Sequence, residues 1–133
     1  MYRWLEHTSE VELELTADSE RGVFEDAVAA LAELLGFAET PRGGPTEVRA
    51  VAVAADRPSD LLVGWLEELV FLAESQGFVG LRLTDFDLAD SGVAAAVEGV
   101  VGDPPPLVKA VTLHGLRFEP RDGGYLARVT LDV

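Results

Sequence analysis

Apolar and polar positions along this chain follow two periods. Val11, Leu13 and Leu15 alternate with Glu12, Glu14 and Thr16, which predicts a strand with one buried and one polar face. The period then changes. Phe24, Ala27, Val28, Leu31 and Leu34 recur at three- and four-residue steps, which predicts a helix that starts after Asp18-Ser19 and ends near Gly36. Glu20 adds negative charge to its first turn. Pro41 to Pro45 reads as a loop, and Glu47 to Ala54 alternates weakly as a strand. A second stripe of Leu62, Trp65, Leu66, Leu69 and Ala73 predicts a second helix, entered at Pro58 with Ser59 as its cap and closed by Gly77. Asp60, Glu67 and Glu74 fall seven apart on its opposite face.

The rest reads as strands. Phe78 to Leu88 forms one or two, with Leu81 and Leu83 on a common face and Asp85 next in that alternation. Val93 to Val101 is a β-branched and alanine run after the Asp90-Ser91-Gly92 turn. Asp103-Pro104-Pro105-Pro106 cannot lie inside a sheet. Val108 to Phe118 alternates again, and Asp122-Gly123-Gly124 closes a hairpin onto Tyr125 to Leu131. Hairpin-length connections favour antiparallel pairing. The expectation is α+β, one domain over residues 1–133, with two helices on a mostly antiparallel sheet.

Composition narrows the function. The chain has 24 acids against 10 bases, a net charge of −14. A generic grip on nucleic-acid backbone needs clustered Lys and Arg, so no direct nucleic-acid binding is expected, and docking on anionic lipid is equally disfavoured. No apolar run approaches the ~18 residues of a membrane span. Cysteine is absent, which removes thiol chemistry and fits a reducing compartment. These features predict a soluble, acidic, cytoplasmic protein. Phosphate-binding glycine loops, HExxH and GxSxG are missing, and two histidines cannot build a His-rich metal site.

Three places carry candidate chemistry. Glu6-His7-Thr8-Ser9-Glu10 sets two carboxylates and an imidazole within five residues, suited to a metal or to proton transfer, or simply to a solvated turn. Lys109 is the only lysine, the nine other bases being arginine. His114 lies five residues on, facing opposite to Lys109 if the segment is a regular strand. Leu131-Asp132-Val133 carries strand patterning to the last residue. Asp132 and the terminal carboxylate would then present hard oxygen ligands of the kind Ca²⁺ or Mg²⁺ takes, although a frayed end fits the same residues.

Trp4-Leu5-Glu6-His7-Thr8-Ser9-Glu10 resembles the opening signature of the archease family, usually phenylalanine-leucine-glutamate-histidine-threonine-alanine-aspartate. Lys109-Ala110-Val111-Thr112-Leu113-His114 is similar to the family's second signature, and Ala127 to Val133 resembles its closing strand. Residues 17 to 107 match in pattern more than in residues. The resemblance implies an accessory protein of the RNA-splicing ligase of tRNA splicing and RNA repair, which promotes guanylylation and repeated turnover of that GTP-dependent enzyme and is not itself an enzyme. It also implies a divalent cation, Ca²⁺ with Mg²⁺ or Mn²⁺ as substitutes, on Glu10, Asp132 and Val133. Lys109, His7 and His114 become contacts to the ligase or its nucleotide. Glu10 departs from the family's aspartate. Gly64 stands where the family often has a carboxylate before the helix tryptophan, a role then lost or moved to Asp60 or Glu67. Two other readings stay open: an independent metal-dependent enzyme, and a chaperone-like protein-binding module.

Overall fold

The computed structural model describes residues 1–38 and 44–133, with the backbone but not the side chain of His7. Most of the loop read at Pro41 to Pro45 lies outside the described residues. The elements run β1 (Tyr2–His7), β2 (Glu10–Ala17), α1 (Glu20–Leu34), β3 (Glu47–Ala54), α2 (Pro58–Gln76), β4 (Phe78–Ala89), β5 (Gly92–Val101), β6 (Ala110–Arg121) and β7 (Gly124–Asp132). The α+β class is as expected, and every pairing is antiparallel. The strands divide into two sheets, β1-β2-β7-β6 and β3-β5-β4, and each helix touches both.

Phe24 shows how the layers join. Its ring meets Trp65 of α2 edge-on at 5.7 Å, Phe86 of β4 at 5.5 Å and Phe118 of β6 at 6.1 Å. Trp65 Nε1 donates to the Phe24 carbonyl at 3.2 Å, so the indole is buried with its polar atom satisfied. Leu13, Leu15, Ala127, Val129 and Leu131 supply the floor from the four-stranded sheet, and Val51, Val93 and Val97 supply the roof from the other.

The helix ends follow local chemistry. Ser19 caps α1, its hydroxyl accepting from Gly22 N at 3.1 Å. The α2 cap differs from the sequence reading: Arg57, not Ser59, is the N-cap. Pro58 takes the first helical position, where its missing N–H costs nothing, and it holds Arg57 extended at φ −126°, ψ 145°. Gly77 closes α2 in the left-handed conformation at φ 67°, as expected.

β4 departs from simple alternation. Register shifts between Gly80 and Arg82 and between Leu83 and Asp85 each insert an extra residue. The inward face passes from Leu83 to Phe86 and Leu88, and Asp85 is exposed rather than sharing a face with Leu81 and Leu83. The Asp122-Gly123 turn is as read, with both residues at positive φ (51° and 80°) between paired Arg121 and Gly124.

Candidate functional site

The two signatures and the closing strand meet at one end of the four-stranded sheet. His7 pairs with Glu10, Glu10 with Asp132, and Asp132 with Ala110, so one row of backbone partners crosses all four strands. Lys109 N donates to the Asp132 carbonyl at 2.7 Å, which fastens the second signature beside the row. Val133 N donates to the Ser9 carbonyl at 3.2 Å, and Ser9 turns the β1–β2 hairpin at φ 63°. Residues far apart in sequence are thereby neighbours.

Directly opposed residues of an antiparallel pair project to one face. In β2 the odd positions Leu13 and Leu15 enter the core, which leaves Glu10, Glu12 and Glu14 on the outer face with Arg128 and Asp132 of β7. One row of that face is compensated. Arg128 reaches Glu14 at 2.8 Å and Glu12 at 3.6 Å, and Arg3 reaches Glu14 at 2.9 Å. Burial pushes the Glu14 carboxyl up, but the hydrogen bonds from Arg128 and Arg3 outweigh it, and the group ends below its ordinary value.

The Glu10–Asp132 pair is different. Both residues are half-buried, and neither has a hydrogen-bond or ion-pair partner among the described side chains. Like charges directly across a ladder repel, and among the described side chains no cation pairs with either of them. The donor set is hard oxygen, which suits Ca²⁺, Mg²⁺ or Mn²⁺. Among the described residues no group of three or more His, Cys, Asp or Glu side chains is arranged to hold a metal. The two carboxylates alone do not complete a shell for such a cation, and Val133 lies next to Asp132 in the chain, fastened by its N–H to the Ser9 carbonyl.

His114 does not sit in a regular strand. The β6–β7 register runs from Thr112↔Thr130 to Arg117↔Arg128, so four residues of β6, Leu113 to Leu116, stand against one of β7. Gly115 at φ 66° makes the excursion possible. Thr130 Oγ1 donates to the His114 carbonyl at 3.1 Å, and His114 N donates to Thr112 Oγ1 at 3.3 Å. His114 therefore lies in the bulge, outside the regular two-residue alternation by which its face was read relative to Lys109. His114 is exposed, as is Leu113 at 67%. Thr130 is the residue that sequence reasoning missed. It is 3% exposed and ties the bulge to the central strand. A glycine inside a strand pattern was the available signal.

Gly64 also acquires a structural reason. A Cβ there would lie 2.4 Å from Val53 Cγ1, so a side chain at this point of α2 would collide with the Val53 methyl of β3. Asp60 pairs with Arg57 at 3.2 Å in the first helical turn. Glu67 lies on a groove shared with Lys109.

The family profile described as "Archease protein family (MTH1598/TM1083)" matches residues 2–133. A probable protein archease of Mycobacterium tuberculosis is 34% identical over 140 residues, spanning 99% of this chain and 74% of that protein. Protein archease of Archaeoglobus fulgidus is 30% identical over 141 residues, spanning 99% and 98%. The solution structure of Methanobacterium thermoautotrophicum protein 1598 superposes with a TM-score of 0.74 at 25% identity, over 99% of this chain and 98% of that one. A Thermotoga maritima archease, described as a possible chaperone, has a TM-score of 0.70 at 19% identity over 100% and 98%. The chain belongs to the archease family. Among the described residues, no helix is long and apolar enough to cross a membrane.

Proposed function

We propose that this protein is a non-enzymatic activator of the GTP-dependent RNA-splicing ligase, promoting its guanylylation and multiple turnover. In this reading the sheet end holds a divalent cation on Glu10, Asp132 and an oxygen of Val133. The cation neutralises the opposed carboxylates and leaves coordination positions that an oxygen ligand of the partner can fill. Lys109, beside the row, carries a mobile ammonium toward the ligase or its nucleotide phosphates. His7, at the β1 position of the row, and His114, on the bulge, flank the same end. The observation that carries the reading is the directly opposed Glu10–Asp132 carboxylate pair, unpartnered among the described side chains and lying where both archease signatures converge. The net charge of −14 supports it, since an acidic activator is steered toward the basic RNA path expected of a ligase.

A multiple-turnover nick-sealing assay with purified ligase, with and without this chain, tests the activity. Calorimetry with Ca²⁺, Mg²⁺ and Mn²⁺ tests the site. Stimulated turnover, with cation binding lost in Asp132→Ala and weakened by an extra residue after Val133, is the expected result. No stimulation, or equal cation binding by Asp132→Ala, overturns the corresponding half. The description of the Thermotoga maritima protein as a possible chaperone favours a second reading, a protein-binding module without a ligase. That reading gains if the chain suppresses aggregation of unrelated proteins and leaves the ligase unaffected.

A further inference from the structure

The outer face of α2 is not plain solvated helix. Glu67, Phe71 and Glu74 follow at i, i+4 and i+7 and line one groove of about 190 Å³ between α2 and the start of β6. Val70 and Val108 contribute to its wall, and Lys109 borders it. Phe71 is 59% exposed and Leu107, on the approach to β6, is 41% exposed. A second depression, lined by Val70, Glu74, Leu107 and Val108 together with Pro104 and Pro105, adjoins the first through shared residues. A single exposed apolar side chain needs no explanation, but an aromatic ring beside a continuous apolar groove does. Neither Glu67 nor Glu74 has an ion-pair partner among the described residues, so the groove is apolar at its centre and carries two unpaired carboxylates on its α2 side, against the one ammonium of Lys109 on its β6 side.

We infer that this groove is a docking site for a basic segment of the partner protein, an apolar side chain flanked by Arg or Lys. The apolar group packs against Phe71, Val70 and Val108, and its flanking cations meet Glu67 and Glu74. A buried aromatic anchor supplies binding energy, while marginal charges supply orientation and association rate. Lys109 borders the groove, and its backbone N–H is fastened to the Asp132 carbonyl, so the groove and the sheet end share this residue. The inference rests on the proposed function for the partner's identity and adds where that partner holds on.

The test measures binding of the purified ligase to the full chain by biolayer interferometry at two salt concentrations. The variants are Phe71→Ala and the double variant Glu67→Lys/Glu74→Lys. All three side chains are exposed, so thermal melting and cation binding stay at parental values. Phe71→Ala is expected to weaken the complex at least about tenfold, chiefly in dissociation. The charge-reversed pair is expected to slow association and to reduce its dependence on salt. A complex that forms with the parent and is indifferent to both variants overturns the groove and leaves the proposed function standing. Absence of any complex with the parent overturns both.

Discussion

Gly64 in the middle of α2 is a liability for the helix, and the structure says what it is for. Glycine at an internal helical position costs about 1 kcal/mol relative to alanine. An alanine Cβ at residue 64 would sit 2.4 Å from Val53 Cγ1. Carbon atoms prefer roughly 3.5–4.0 Å, so more than an ångström must be taken up by a stiff β-branched side chain or by the helix itself. Overpacking of that kind costs about 1–3 kcal/mol. Against the propensity gain, Gly64→Ala should lose about 1 kcal/mol, a fall in Tm on the order of 3 °C for a chain of this size. Removing the obstacle reverses the sign. In a Val53→Ala background the same substitution keeps only the propensity gain and should add about 1 kcal/mol. The coupling between the two sites is then about 2 kcal/mol, measurable by urea denaturation of the four proteins of the cycle. If Gly64→Ala stabilises in both backgrounds, or changes stability equally in both, close approach to β3 is not what the glycine provides.

Other perturbations read separate parts of the molecule. Burial, then the hydrogen bond to Glu33 and the charges of Glu33 and Asp26, push the Tyr2 phenol from 10.0 up to about 12. The folded state favours the protonated phenol, so its contribution is complete below pH 10.0 and disappears as pH rises toward about 12. Tyr2→Phe should delete the late phase of the phenolate absorbance titration and flatten the alkaline loss of stability; an unchanged titration refutes the assignment. Trp4 Nε1 is buried with no hydrogen-bond partner among the described residues, so Trp4→Phe should leave stability within about 1 kcal/mol of the parent or above it, the lost ring area being offset by removal of an orphaned donor. A loss beyond about 2 kcal/mol in a urea titration would contradict that. Lys109 is exposed, and its backbone N–H bond to Asp132 survives substitution, so Lys109→Ala should alter stability by no more than about 0.5 kcal/mol while reducing ligase stimulation several-fold. Lys109→Arg should not restore it fully. A large fall in Tm, or parental stimulation by Lys109→Ala, makes the lysine structural or incidental.

Much of the fold was legible because the strands and helices are half-buried and their buried faces recur with the right period. Val11-Leu13-Leu15 and Phe24-Ala27-Val28-Leu31 are of this kind. The division into two sheets was not, because alternation marks a face and says nothing about which distant strand lies beside it. The cap at Arg57 was missed because proline constrains the residue before it more strongly than Ser59 competes for the cap. The bulges in β4 and β6 break the period on which strand reading depends, so Asp85 was assigned the wrong face and the excursion at His114 was not foreseen. At the sheet end, the placing of Glu10 and Asp132 together came from motif resemblance, since their spacing alone leaves them at opposite ends of the sequence; the fastening of Lys109 to Asp132 was not read.

The position of β7 has a kinetic consequence. This strand follows every other element in the chain, yet it lies inside its sheet, with β2 on one side and β6 on the other. The row containing Glu10 and Asp132 therefore forms only after the longest loop closure the sequence offers. Until β7 is inserted, β2 and β6 each keep a free edge and the sheet end does not exist. A cation held there would act on the global unfolding equilibrium and not on a local one, raising stability in proportion to the logarithm of its concentration above Kd. It would also slow unfolding more than it speeds folding if β7 docks after the transition state. An incompletely synthesised or partly unfolded chain would be silent toward its partner, so only the fully assembled protein could act.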